Sequence, residues 1–282
     1  MTQKSVLTTV PGAIGIFDSG YGGLTILQQI RRMMPQYDYL YLGDNARAPY
    51  GTRSFDVVYE FTLQAVRFLF EQGCHLVILA CNTASAKALR NIQQHDLPEL
   101  DPQRRVLGII RPTVEAVGNI SKSRHVGIMA TPGTIRSTTY ELEIAKLHPD
   151  IRVTGEACPM WVPLVENDKY DSPGADYFVR ESIDNLFRRD PCIDSVILGC
   201  THYPLLINKI RRYMPQGVCV IEQGNYVAQS LQDYLHRHAE MAERITCEGT
   251  VRFLTTEHAE TFQQKATTFM GESISAERVC LG

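Results

Sequence analysis

Apolar residues in this chain gather into short runs separated by longer stretches of helical periodicity. Runs near 13–17, 38–42, 75–80, 105–110, 125–130, 151–155, 195–199, 218–222 and 251–255 are rich in Val, Ile, Leu and Tyr, as buried strands are. Between them, Leu24, Leu27, Ile30 and Met34 share one helical face ahead of Pro35. Val58, Phe61, Ala65 and Leu69 share another ahead of Gly73. Strands alternating with amphipathic helices predict an α/β protein whose mainly parallel sheets are joined by helical crossovers.

The pattern is written twice. Ile14-Gly15-Ile16-Phe17-Asp18-Ser19 is echoed by Val126-Gly127-Ile128-Met129-Ala130-Thr131. Leu76-Val77-Ile78-Leu79-Ala80-Cys81-Asn82-Thr83 is echoed by Val196-Ile197-Leu198-Gly199-Cys200-Thr201-His202. Both echoes lie about 110 to 120 positions downstream, which is what an internal duplication produces. The expectation is two pseudo-symmetric α/β domains with a crevice between them. The first takes residues 1–110 and, by return of the chain, 221–282; the second takes 111–220, with the boundary near Arg111-Pro112. A length of 282 residues suits two such units.

In each half a cysteine stands where an apolar strand gives way to a polar turn, the end at which open α/β sheets place their ligands. A cysteine chosen at random is more often a small buried filler, the role expected for most of Cys74, Cys158, Cys192, Cys219, Cys247 and Cys280. Cys81 and Cys200 differ, because hydrogen-bonding residues and then helical sequence follow each at once. A helix N-terminus lowers a thiol's pKa and attracts a carboxylate, so both turns suit acid–base work on an amino acid. Asp18, at the end of the first strand, opens into the same crevice and suits holding or relaying a proton. The turn Asp18-Ser19-Gly20-Tyr21-Gly22-Gly23 is a poor phosphate cradle, because no Lys follows the last glycine and Asp18 repels phosphate. Its glycines are expected to permit a tight turn.

At this point the residues resemble a known family. Phe17-Asp18-Ser19-Gly20 with Gly22-Gly23-Leu24, Gly43-Asp44 leading to Pro49-Tyr50-Gly51, Ala80-Cys81-Asn82-Thr83-Ala84-Ser85-Ala86, Thr134-Ile135-Arg136-Ser137, Val162-Pro163-Leu164-Val165-Glu166 and Leu198-Gly199-Cys200-Thr201-His202-Tyr203-Pro204 are similar to blocks of the cofactor-independent glutamate racemases, in order and over nearly the whole chain. The resemblance implies interconversion of L- and D-glutamate for peptidoglycan, with Cys81 and Cys200 as the two acid/base thiols. It places Asp18 beside the first thiol and His202 and Glu166 beside the second. Ser19, Tyr50, Gly51, Asn82, Thr83, Thr131, Thr134 and Thr201 would join Asp18 and His202 around the substrate. It implies no cofactor, no metal and a homodimer. Glu222-Gln223 stands where the resemblance leads one to expect Asp-Ser, which leaves open the structural hydrogen bonds made there.

The chemistry explains the pairing of thiols. Inverting a stereocentre removes a proton from one face and delivers another to the opposite face, so two carriers must flank the carbon. Cysteine, with a reference pKa of about 8.5, is readily tuned to either form near neutrality. Four alternatives remain: an aspartate racemase of the same fold, a zinc hydrolase using Cys81, Cys200 and His202, a pyridoxal-phosphate racemase, and a module that binds an amino acid without turning it over. The first typically has an acidic residue at the position of His202. The second has an unusual ligand spacing, and the third lacks a convincing lysine. The last has no use for paired thiols.

With Lys+Arg 28 against Asp+Glu 31, the chain has no basic excess for nucleic acid or an anionic membrane. It has no apolar run long enough to span a bilayer, and Met1-Thr2-Gln3-Lys4-Ser5 lacks the apolar centre of a signal peptide. A cytoplasmic protein with reduced thiols is expected. The segment before the first strand reads as a free start or part of an effector site.

Overall fold

The computed structural model describes residues 12–281, so the expectation for the first ten residues lies outside it. Ten strands run through it: β1 (Ile14–Asp18), β2 (Tyr39–Gly43), β3 (Leu76–Leu79), β4 (Arg105–Gly108), β5 (His125–Ala130), β6 (Arg152–Ala157), β7 (Ser195–Gly199), β8 (Cys219–Ile221), β9 (Val251–Thr255) and β10 (Ala276–Arg278). They form a six-stranded sheet of order β10-β9-β2-β1-β3-β4 and a four-stranded sheet of order β6-β5-β7-β8. Every strand pairing among the described residues is parallel.

The internal repeat is visible in the topology and in the register. The order β2-β1-β3-β4 in one sheet matches β6-β5-β7-β8 in the other. Ile14 pairs with Leu76 and Phe17 with Leu79; at the echoed positions Val126 pairs with Ser195 and Met129 with Leu198. One sequence pattern therefore gives one pairing twice.

Alternation along β1 sends Ile14 and Ile16 to one face and Phe17 to the other. Phe17 packs with Val58, Ala65 and Leu69 of the helix Phe55–Glu71, whose N-cap Ser54 accepts from the Val57 amide. Ile14 and Ile16 join Leu24, Leu27 and Ile30 of the helix Gly23–Met33 in a core that continues into Val196 and Leu198 of the second sheet. Apolar packing thus runs through both halves. Replacing Leu27 by Ala would cost about 2–5 kcal/mol on the usual scale for fully buried leucines.

Three local features differ from expectation. β4 stops at Gly108, short of the run 105–110, because Ile109 and Ile110 open the helix Ile110–Ile120, whose first turn holds Arg111-Pro112. β10 is short, with only Ala276 buried, and its sequence carries no apolar run. Of the six cysteines expected mostly as fillers, only Cys74 and Cys158 are buried; Cys192, Cys219, Cys247 and Cys280 are exposed. Cys219 opens a strand at the sheet's edge, where one side faces solvent.

Candidate active site

The parallel pairing of β1 with β3 brings Asp18, Ser19 and Cys81 out side by side at the carboxyl ends of their strands. Cys81 is the N-cap of the helix Asn82–Lys87, its Sγ accepting from the Ala84 amide at 3.4 Å, and Ser19 Oγ lies 3.4 Å from the same sulfur. Asp18 is 1% exposed; its Oδ2 accepts from the Gly20 amide at 2.9 Å, while its Oδ1 is buried without a partner. Burial raises the Asp18 pKa, outweighing the pull of His202 and of the Gly23 and Gly20 amides. The Cys81 thiol is pushed up to about 12, first by burial and then by the Asp18 charge. The lowered thiol pKa expected from the helix N-terminus is therefore corrected here: desolvation of the anion outweighs one helical amide.

On the other side, β5 beside β7 brings out Thr131 and Cys200. No α-helix follows Cys200 directly; a 3₁₀ turn, Tyr203–Leu206, precedes the helix Ile207–Tyr213. That turn leaves His202 free to fold back, with Nδ1 3.9 Å from Cys200 Sγ and Nε2 3.1 Å from Glu166 Oε1. Glu166 ends the helix Trp161–Glu166, and its carbonyl accepts from Lys265. Burial by itself would lower the His202 pKa, yet the bonds to Cys200 and Glu166 raise it to about 10. When protonated, the ring donates from both nitrogens.

This shift makes a test of stability against pH. The unfolded histidine titrates near 6.5 and the native one near 10, so the stabilisation is fully present below 6.5, shrinks as pH rises and is gone beyond about 10. In denaturant titrations, the stability gap between the wild type and His202→Gln is expected to be widest below pH ~6.5 and to close toward pH ~10. A gap independent of pH would show that His202 carries no such charge.

Three hydroxyls form a closed triangle beside the thiols' cavity: Thr83 to Thr131 at 3.0 Å, Thr131 to Thr134 at 3.1 Å and Thr83 to Thr134 at 3.3 Å. Gly51 joins the halves through its carbonyl, which accepts from the Gly133 amide at 2.8 Å. The Tyr50 hydroxyl is engaged with Asp44 at 2.5 Å, so this residue offers the site its ring and backbone. Together these groups enclose a cavity of about 90 Å³. Cys81 and Cys200 both line it, with Ser19, Tyr50, Gly51, Asn82, Thr83, Thr131, Glu166, Thr201 and His202. Asp18 and Thr134 stand immediately behind that wall, in contact with residues that form it.

A family model described as Asp/Glu/hydantoin racemase matches residues 24–231. The chain belongs to this family. Glutamate racemases from a Ruegeria species and from Roseobacter denitrificans are 40% and 41% identical to it, covering 94% and 93% of this chain and 99% and 98% of their own. Among solved structures, a glutamate racemase from Bacillus anthracis superposes with a TM-score of 0.87 at 33% identity, covering 96% of this chain and 98% of its own. One from Francisella tularensis, in complex with D-glutamate, gives 0.85 at 32% identity and covers 98% and 99%. An aspartate racemase from Picrophilus torridus, at 18% identity and a TM-score of 0.53, shares the fold alone.

The glycine-rich turn has a different reason from the one expected. None of Gly20, Gly22 and Gly23 adopts a positive φ, so conformational freedom is not what they supply. They supply room. A Cβ on Gly22 would stand 2.5 Å from His202 Nδ1 and press on Thr201 Oγ1, and one on Gly23 would stand 2.5 Å from Asp18 Cβ. The first half thus closes against the second through bare backbone.

Among the described residues, the group of metal-ligating type whose atoms all lie within 4.8 Å of one another is His125, Asp190 and Cys192. The zinc alternative's residues, Cys81, Cys200 and His202, do not form such a group. At the former cluster Asp190 is already engaged, accepting from His125 Nδ1 at 2.8 Å and lying 3.6 Å from Arg152. Sequence reasoning missed Cys158 and Val162 as parts of the cavity wall, and missed Tyr140 and Gln223 behind it. Glu222-Gln223 did stand out as a departure from the family pattern; nothing in the sequence marks Tyr140.

Proposed function

We propose that the protein interconverts L- and D-glutamate by two proton transfers on opposite faces of the α-carbon, without a cofactor. One observation carries this reading: two cysteines from equivalent strand ends border a single small cavity. Cys81 serves the D-glutamate α-proton and Cys200 that of L-glutamate. His202, held by Glu166, offsets negative charge arising on Cys200 as it works. Asp18, with its raised pKa, is suited to take the thiol proton when Cys81 acts as base. The threonine triangle, Thr201 and Asn82 offer donors to the substrate carboxylate, where negative charge develops as the α-proton leaves. Glutamate is favoured over aspartate because the relatives that align along nearly their whole length are glutamate racemases. No helix among the described residues is long and apolar enough to cross a membrane. We place the reaction in the cytoplasm, supplying D-glutamate for peptidoglycan, and assign a homodimer as the working form.

The test is circular dichroism of L- and D-glutamate incubated with chelated protein free of pyridoxal phosphate. Both signals are expected to decay to zero. A persistent signal with folded protein overturns the reading, and turnover only on adding zinc moves it to the metal alternative. Faster decay of aspartate than glutamate overturns the substrate.

A further inference from the structure

Gln223 departs from the family pattern, and the structure gives it a place. It is the first residue of the helix Gln223–Arg237 and is 4% exposed. Its Oε1 accepts from Asn82 Nδ2 at 2.6 Å, its Nε2 donates to the Tyr140 hydroxyl at 2.9 Å, and that hydroxyl donates to Asn82 Oδ1 at 2.7 Å. The three side chains form a closed ring in which each donates once and accepts once. Gln223 Nε2 also faces the Ile109 carbonyl and Thr113 Oγ1, both at 3.2 Å, where the chain passes from the first sheet to the second. The ring therefore spans the joint between the halves. Asn82 comes from the helix after Cys81, Tyr140 from the helix Thr139–Leu147, and Gln223 from the segment after β8.

We propose that Gln223 is a positioning residue that acts through Asn82 and sets substrate affinity. With Oδ1 and one N–H of Nδ2 committed to the ring, the Asn82 amide has a single orientation. One N–H then remains for the cavity that Asn82 lines beside Cys81. A serine at position 223 would be too short to make these bonds, so the glutamine's length is what closes the ring. The inference rests on the proposed glutamate site. A contact present in both the ground and transition states affects binding more than turnover, so its loss should appear in KM.

The experiment compares Q223M, Y140F, the double variant and T113V. Q223M keeps the length but has no hydrogen-bonding amide; Y140F removes one oxygen from the ring; T113V removes a bond outside it. Q223M and Y140F are each expected to raise KM for glutamate about tenfold with kcat changed less than about threefold. Because either change opens the same ring, the double variant should fall within about threefold of the worse single. T113V should lose some thermal stability and keep its KM. Wild-type KM in Q223M, or multiplied losses in the double variant, overturns the proposal. If Q223M fails to fold, Y140F carries the same expectation, and a wild-type KM there overturns it. Failure of the wild type to racemise glutamate would reject the proposed function separately. The ring is then judged by the same cycle in urea unfolding, where non-additive midpoint shifts support it and additive ones overturn it.

Discussion

Cys81→Ser and Cys200→Ser are each expected to lower glutamate racemisation by about a thousandfold or more, because full inversion needs both proton carriers and serine is a far weaker acid than cysteine. The informative result is what survives. A glutamate analogue that expels a β-leaving group after losing its α-proton needs only one base. Cys81→Ser should retain elimination from the L-enantiomer and lose it from the D-enantiomer, and Cys200→Ser should do the reverse. The measurement is the elimination rate for each enantiomer with each variant. Equal losses on both enantiomers would remove the opposed two-base arrangement, whereas inverted preferences would exchange the faces assigned to the thiols.

Gly22→Ala is expected to cost about a hundredfold in kcat/KM, the scale of a catalytic group displaced by about an ångström. Its new methyl would stand 2.5 Å from His202 Nδ1 and press on Thr201, so the turn that carries Cys200 must move. Gly20→Ala is the control within the same turn. Its Cβ meets nothing closer than Glu166 Oε1 at 3.6 Å, an ordinary contact, and activity should stay within a fewfold. Steady-state rates of the two folded variants decide this. Equal activity would mean that the halves do not close on backbone at Gly22 when substrate is bound.

The nine apolar runs that mark strands in the sequence are all strands: β1, β2, β3 and β7 are buried along their whole length and need continuous apolar residues, while β4, β6 and β8 are only partly buried. β10 escaped for the same reason, since Glu277 and Arg278 are exposed and signal nothing apolar. The two cysteine turns were legible because each joins two unlike signals, an apolar run and a polar turn. The sign of the Cys81 shift was not, since burial of the thiol beside Asp18 depends on strands brought together by the fold. Tyr140 was illegible for a similar reason. A tyrosine on a helix face reads as core, and its hydroxyl partners, Asn82 and Gln223, lie 58 and 83 residues away.

The duplicated register places Asp18 at the position that Ala130 occupies in the second half, so the carboxylate beside Cys81 has no counterpart beside Cys200. There the neighbouring charge belongs to His202 and has the opposite sign. Two half-sites of matching topology thus have unlike electrostatics. Mirror-image molecules have equal free energies in water, so the equilibrium constant of their interconversion is one whatever the catalyst. The asymmetry can therefore act only in compensated pairs: on the proposed reaction, the enantiomer turned over faster must have the higher KM in the same proportion. On that reaction the charges around each thiol can move kcat and KM together, while the balance between the enantiomers lies beyond their reach.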